Sequence, residues 1–66
     1  MNFPCASWDD LCEMLLEAEA NLDRLDCARS VSPEAEVRRL ESRARCVRWI
    51  GLVRDDLNVL ERMVAV

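Results

Sequence analysis

Residues 33–66 read PEAEVRRLESRARCVRWIGLVRDDLNVLERMVAV, and this stretch decides the fold. Its start carries clear helix signals. Ser32 can accept a hydrogen bond from a free backbone N–H as the N-cap, and Pro33 follows at the first helical position, where a missing N–H costs nothing. Glu34 and Glu36 place negative charge at the positive end of the helix dipole. The sequence therefore predicts one long helix over about residues 33–65.

Apolar residues recur along this helix at helical spacing. The first run is Val37, Leu40, Ala44 and Val47, and the second is Ile50, Val53, Leu57, Leu60 and Val64. Both runs follow the alternating steps of three and four residues that mark one helical face, and we expect this face to rotate only slightly near Gly51. A further row appears only in the second half and consists of Trp49, Leu52, Val59 and Met63. A helix that is apolar on two faces is buried on two sides.

A shorter helix is predicted over about residues 8–28. Ser7 and Asp10 have the spacing of a capping box. A regular apolar stripe then follows, made of Trp8, Leu11, Leu15, Ala18, Leu22 and Leu25. A connection of about four residues makes the two helices antiparallel neighbours. We therefore expect an all-α fold, an antiparallel two-helix hairpin that forms a single domain over residues 1–66.

The two predicted helices differ in length. If Ala28 lies beside Glu34, then Trp8 lies beside Arg54, and residues 55–66 extend past the short helix. An uncovered apolar overhang is an aggregation liability, so we expect a cover. The N-terminal lead Met1–Ser7, a second copy and another protein are the three candidates. We expect the hairpin to dimerise into a four-helix bundle or to complete one with a partner. The alternative is a break near residues 51–56, followed by a short third helix that folds back.

Charge is distributed unevenly between the predicted helices. The chain has a net charge of −4, and all nine of its basic residues are Arg. Acidic residues dominate residues 1–28, whereas Arg dominates residues 29–48. The two blocks should attract each other across the hairpin. The overall negative charge argues against a general binder of nucleic acid or of anionic membranes.

Catalytic and metal-binding signatures are absent from the sequence. The chain has no His, and its four cysteines, Cys5, Cys12, Cys27 and Cys46, form no CxxC pair, so we expect no metal and no cofactor. Nucleophilic catalysis by Cys needs a base, and a two-helix protein has little room for a pocket, so we expect no enzyme and no small-molecule substrate. We expect reduced thiols, a cytoplasmic location, no signal peptide and no membrane span.

The predicted function is therefore a small protein-binding module, a chaperone, adaptor or inhibitor that buries an apolar helix face against another protein or a second copy. Its predicted contact residues are Trp8, Trp49, Leu52, Leu57, Leu60 and Met63. The alternative is a nucleic-acid-binding hairpin that uses the Arg38–Arg48 block. Glu41 interrupts that block, which makes nucleic acid the less favoured partner.

Overall fold

The computed structural model describes residues 1–64, which form two helices in contact, α1 (Trp8–Cys27) and α2 (Pro33–Val64). No strand occurs among these residues. The molecule is a rod of 51 × 17 × 16 Å, whose long axis is about the length of a 32-residue helix. The predicted all-α hairpin is confirmed. Helix α1 ends one residue earlier than predicted, and Ala65, the predicted end of the long helix, lies outside the described residues.

Helix α1 begins at the predicted capping box. The Ser7 hydroxyl accepts from the backbone N–H of Asp10 at 3.2 Å, and the Asp10 carboxylate accepts from the backbone N–H of Ser7 at 3.2 Å. These two bonds satisfy donors that a helix start leaves free. The predicted capping box is thus confirmed.

Helix α2 begins at the predicted Ser32 cap, whose hydroxyl accepts from the N–H of Ala35 at 3.1 Å. The turn around it is held by side chains from both sides. The hydroxyl of Ser30 donates to the Glu36 carboxylate, and Arg39 donates to the carbonyl of Leu25 at 3.1 Å. The last bond satisfies a carbonyl that the end of α1 leaves free, so the loop is fastened to both helices.

The helices pair in an antiparallel register. The Cys46 thiol donates to the carbonyl of Ala18 at 3.1 Å, and the fully buried Leu11 and Val53 lie farther along the same pairing. Equal steps along both helices then bring Trp8 level with Asp56, two residues beyond the predicted partner Arg54. Two ion pairs join the helices, Arg43 to Asp26 at 2.6 Å and Arg54 to Glu19 at 3.2 Å.

Helix α2 is continuous through Gly51 and Asp56, so the alternative of a break there, with a third helix, is wrong. The expectation that its apolar face rotates only slightly near Gly51 is also wrong. At roughly 100° per residue, the first apolar run lies about 140° from the second. Only the second run, from Ile50 onward, enters the core. Along the first half of α2, Ser42 and Cys46 are partly buried, while Val37, Leu40, Ala44 and Val47 are exposed.

Candidate protein-binding surface

The six predicted contact residues occupy two neighbouring parts of the molecule. Trp49 and Leu52 lie on the middle of α2, whereas the remaining four lie at the end opposite the loop. Trp8, Trp49 and Met63 expose 47%, 43% and 67% of their surface. Leu52, Leu57 and Leu60 are partly buried. The end opposite the loop is called the open end below, and its apolar surface comprises Trp8, Leu57, Val59, Leu60, Met63 and Val64.

The N-terminal lead, residues 1–6, folds back onto the middle of α2. The Asp56 carboxylate accepts from the backbone N–H groups of Asn2 and Phe3, at 2.7 Å each. The side-chain amide of Asn2 donates to the carbonyl of Leu52 at 3.1 Å. The Phe3 ring meets the Trp49 ring edge to face, with centroids 4.8 Å apart, a geometry that aromatic pairs prefer. The lead therefore covers part of the Trp49–Leu52 surface, not the overhang beyond Trp8.

Asp56 lies in the further apolar row of α2, the one that contains Trp49, Leu52, Val59 and Met63. With Asp56 included, the residues of this row follow one another in steps of three and four. Asp56 is only 1% exposed and is the one charged side chain buried among the described residues. A buried carboxylate is tolerated when it is hydrogen-bonded, and here the lead supplies both donors. Sequence reasoning did not identify Asp56, although a polar residue at a core-like spacing was the available signal.

A groove between the two helices extends from Trp49 toward the loop. Its volume is about 680 Å³, and its walls include Met14, Ala18, Leu25, Cys46 and Trp49. The lead reaches Trp49 at one end of this groove through Phe3. The Trp49 surface is thus continuous with a mostly apolar depression that the hairpin itself does not fill.

The Arg38–Arg48 block is partly engaged within the chain. Arg39 pairs with Glu36, and Arg43 pairs with Asp26. The hydrogen bonds from Arg39 and Ser30 hold the pKa of the Glu36 carboxyl at about 2, below its ordinary value of 4.5. The same ion pair raises the pKa of Arg39. These two guanidinium groups support the hairpin turn, although Arg43 stays exposed together with Arg38, Arg45 and Arg48.

All four cysteines are free thiols in the structure, and two of them, Cys5 and Cys27, are exposed. Over residues 1–64, neither helix combines the length and apolar character that a membrane crossing requires. Within the same residues, no cluster of three or more Cys, Asp or Glu side chains has the arrangement of a metal site.

Comparisons of the chain with protein-family models, curated proteins and solved structures gave no match.

Proposed function

We propose that this chain is a small, non-enzymatic protein-binding module that acts through the apolar surface of its open end. One observation carries the proposal. After α1 and the lead have packed, α2 extends past Trp8 and still exposes large apolar side chains, with Met63 at 67% and Val64 at 85%. An apolar surface of this kind on a small chain is typical of an interaction site.

The partner surface best suited to the open end is an amphipathic helix. Leu57, Leu60 and Val64 continue the face of α2 that packs against α1 farther down, so the partner helix would continue the line of α1. Helix-in-groove recognition of this kind relies on anchors spaced by three and four residues. A chaperone, an adaptor and an inhibitor can all use it, and a reducing, cytoplasmic compartment suits the four free thiols.

A second copy of the chain is the simplest occupant of the same surface. Two open ends packed against each other would make a four-helix arrangement from two hairpins. Burial of one large aliphatic side chain contributes about 1.5–3 kcal/mol, and association costs about 4–15 kcal/mol. The few side chains at the open end therefore support a weak homodimer, and a larger partner surface would give the tighter complex.

The test compares two Leu→Asp variants. Leu60→Asp places a charge at the open end, whereas Leu16→Asp places the same charge on the exposed side of α1 as a matched control. A photo-crosslinking amino acid in place of Met63 first captures the partner in the native host. Titration with the purified partner should show tight binding by the wild type and by Leu16→Asp, and a loss of about tenfold or more for Leu60→Asp, since a charge left unpaired in an interface is costly. Equal binding by all three chains would refute the proposal.

Nucleic-acid binding by the Arg38–Arg48 block has less support, because Arg39 and Arg43 are already paired with carboxylates. The Leu60→Asp and Leu16→Asp variants also test nucleic-acid binding. Oligonucleotide binding that falls steeply with salt and is unchanged by Leu60→Asp would favour that alternative over protein binding.

A further inference from the structure

The N-terminal lead is held on α2 by a small set of contacts that need little of its own sequence. Two of its three hydrogen bonds to α2 come from the main chain of Asn2 and Phe3, which any residue except proline can supply. The side-chain contributions are the Asn2 amide and the Phe3 ring. The acceptor Asp56 thus recognises two neighbouring N–H groups, and Trp49 recognises an adjacent aromatic ring.

The hydrogen bonds that Asn2 and Phe3 donate to the helices go to α2. Between the lead and α1 lies a second depression of about 600 Å³, lined by Pro4 and Cys5 on the lead and by Glu13 and Met14 on α1. Within the lead itself, a single turn bond joins the N–H of Ala6 to the carbonyl of Phe3 at 3.1 Å. Segments with few packed contacts open at low free energy. Because Asp56 lies under the lead, lifting the lead would hydrate the carboxylate rather than leave it buried without a donor.

From these contacts we propose that the lead is an exchangeable strap. In the free chain it occupies the Trp49–Asp56 part of the Trp49–Met63 row, and in the complex a partner segment of the same chemistry takes its place. That segment is a turn-like stretch, like residues 2–6 of the lead, with two consecutive main-chain N–H groups directed to the same side and an adjacent aromatic side chain. The inference deepens the proposed function and rests on it for the claim that a partner uses this row. The partner segment bound in place of the strap would lie next to the open end, along the same row of α2.

The strap competes with the partner because it is tethered. A short flexible tether gives the lead an effective concentration in the millimolar range. A competing segment therefore binds with an apparent affinity reduced by the fraction of chains whose strap is open. Weakening the strap should therefore strengthen binding of the competing segment. If the lead had only a structural role, weakening it would not have this effect.

The experiment uses the full chain and a synthetic probe, a peptide of residues 1–7 with serine in place of Cys5. NMR titration follows the indole N–H of Trp49. The Phe3→Ala chain should bind the peptide about tenfold more tightly than the wild type, because its own strap has lost the ring contact. The matched control Leu16→Asp should bind it as the wild type does. A peptide whose Phe is replaced by Ala should bind the Phe3→Ala chain more weakly.

Two further variants establish that the peptide occupies the strap site. In a Phe3→Ala background, Asp56→Ala should abolish peptide binding, and Asp56→Asn, which keeps the size of the side chain, should weaken it. Circular dichroism checks that both remain helical. No shift of the Trp49 signal in the Phe3→Ala chain at millimolar peptide, or equal affinity for Phe3→Ala and wild type, would overturn the strap. Neither result would alter the Leu60→Asp comparison. The proposal of the strap and the proposal of the open-end surface can therefore be refuted independently.

Discussion

Asp56 changes the chemical character of the surface in which it lies. It stands in the middle of an apolar row and is 1% exposed, in a position where a carboxylate without partners would be strongly destabilising. Both of its oxygens accept from main-chain N–H groups of the lead. The residue therefore places an acceptor for two main-chain N–H groups in the middle of an otherwise apolar row.

Replacement of Asp56 by alanine should release the lead. Each hydrogen bond contributes about 0.5–1.5 kcal/mol net, so we expect Asp56→Ala to lower the free energy of unfolding by about 1–2 kcal/mol in urea titration. Asp55→Ala, an exposed neighbour with the same change in helix propensity, should stay within about 0.5 kcal/mol of the wild type. Equal effects of the two substitutions would show that the lead contributes nothing to stability.

Glu36 makes the hairpin turn sensitive to acid. Hydrogen bonds from Arg39 and Ser30 lower the pKa of its carboxyl to about 2 from 4.5. A depressed pKa means that the stabilisation is complete above about pH 4.5 and is lost as the pH falls from there toward 2. Glu36→Gln should remove this part of the pH dependence, which melting curves between pH 2 and pH 6 would measure. If the melting temperatures of the wild type and the variant changed equally with pH across that range, Glu36 would not be the source of the acid sensitivity.

At the scale of the element, α2 has three apolar faces with different roles. The run from Ile50 onward packs against α1, the row around Asp56 receives the lead, and the run from Val37 to Val47 is exposed. Helix α1 has like charges four residues apart, Asp9 with Glu13 and Glu13 with Glu17, which weaken it as an isolated helix. Its stability therefore depends on α2, as the ion pair between Asp26 and Arg43 illustrates.

Gly51 has the lowest helix propensity of the residues in the interior of α2. A side-chain carbon built at this position would meet nothing within 4 Å. Gly51→Ala should therefore raise the free energy of unfolding by about 1 kcal/mol, measured by urea titration. Sedimentation equilibrium of the same variant tests a second role. If another helix approaches closely at Gly51, association should weaken although the monomer becomes more stable. A less stable monomer would contradict the open space seen at this position.

At the scale of the whole molecule, the unequal lengths of the helices set the shape. The rod is 51 Å long, and α1 spans 20 residues against 32 in α2. The lead crosses back toward Trp49 rather than along the overhang. The lead therefore leaves the open end exposed, with Met63 and Val64 as its most accessible apolar side chains.

Hydrogen exchange should distinguish the part of α2 that packs against α1 from the part that extends beyond it at the open end. In the dilute free chain, amides of residues 57–64 should exchange much faster than those of residues 46–56, because unpaired helix ends open at low free energy. At concentrations where sedimentation shows a dimer, or in the partner complex, residues 57–64 should gain protection. A chain that stays monomeric at high concentration while residues 57–64 are protected would refute an association through the open end.

The thiols should not contribute a covalent link to stability. All four are free, and the Cys46 thiol donates to the carbonyl of Ala18 at 3.1 Å. Adding a reducing agent should therefore leave the melting temperature unchanged. A large decrease would reveal a disulfide that stabilises the chain.

Local signals in the sequence determined the hairpin. Ser7 with Asp10, Ser32 with Pro33 and the short connection act over a few residues, so they predicted the helix starts and the antiparallel order correctly. The register was predicted within two residues for the same reason. Within the second apolar run of α2, Ile50 and Val53 are buried as their spacing indicated, whereas Val64 in the predicted overhang is 85% exposed.

Only the tertiary structure decided which apolar residues α1 covers and where the lead goes. Apolar spacing identifies a helical face but not the neighbour that buries it, so Val37 and Leu40 looked like core although Ser42 and Cys46 lie nearer to α1. The contact of Asp56 with Asn2 and Phe3 joins residues more than fifty positions apart. No local pattern specifies that contact, since its donors are main-chain groups that every such segment carries. It exists because the antiparallel register brings the start of α1, and with it the lead, level with residue 56.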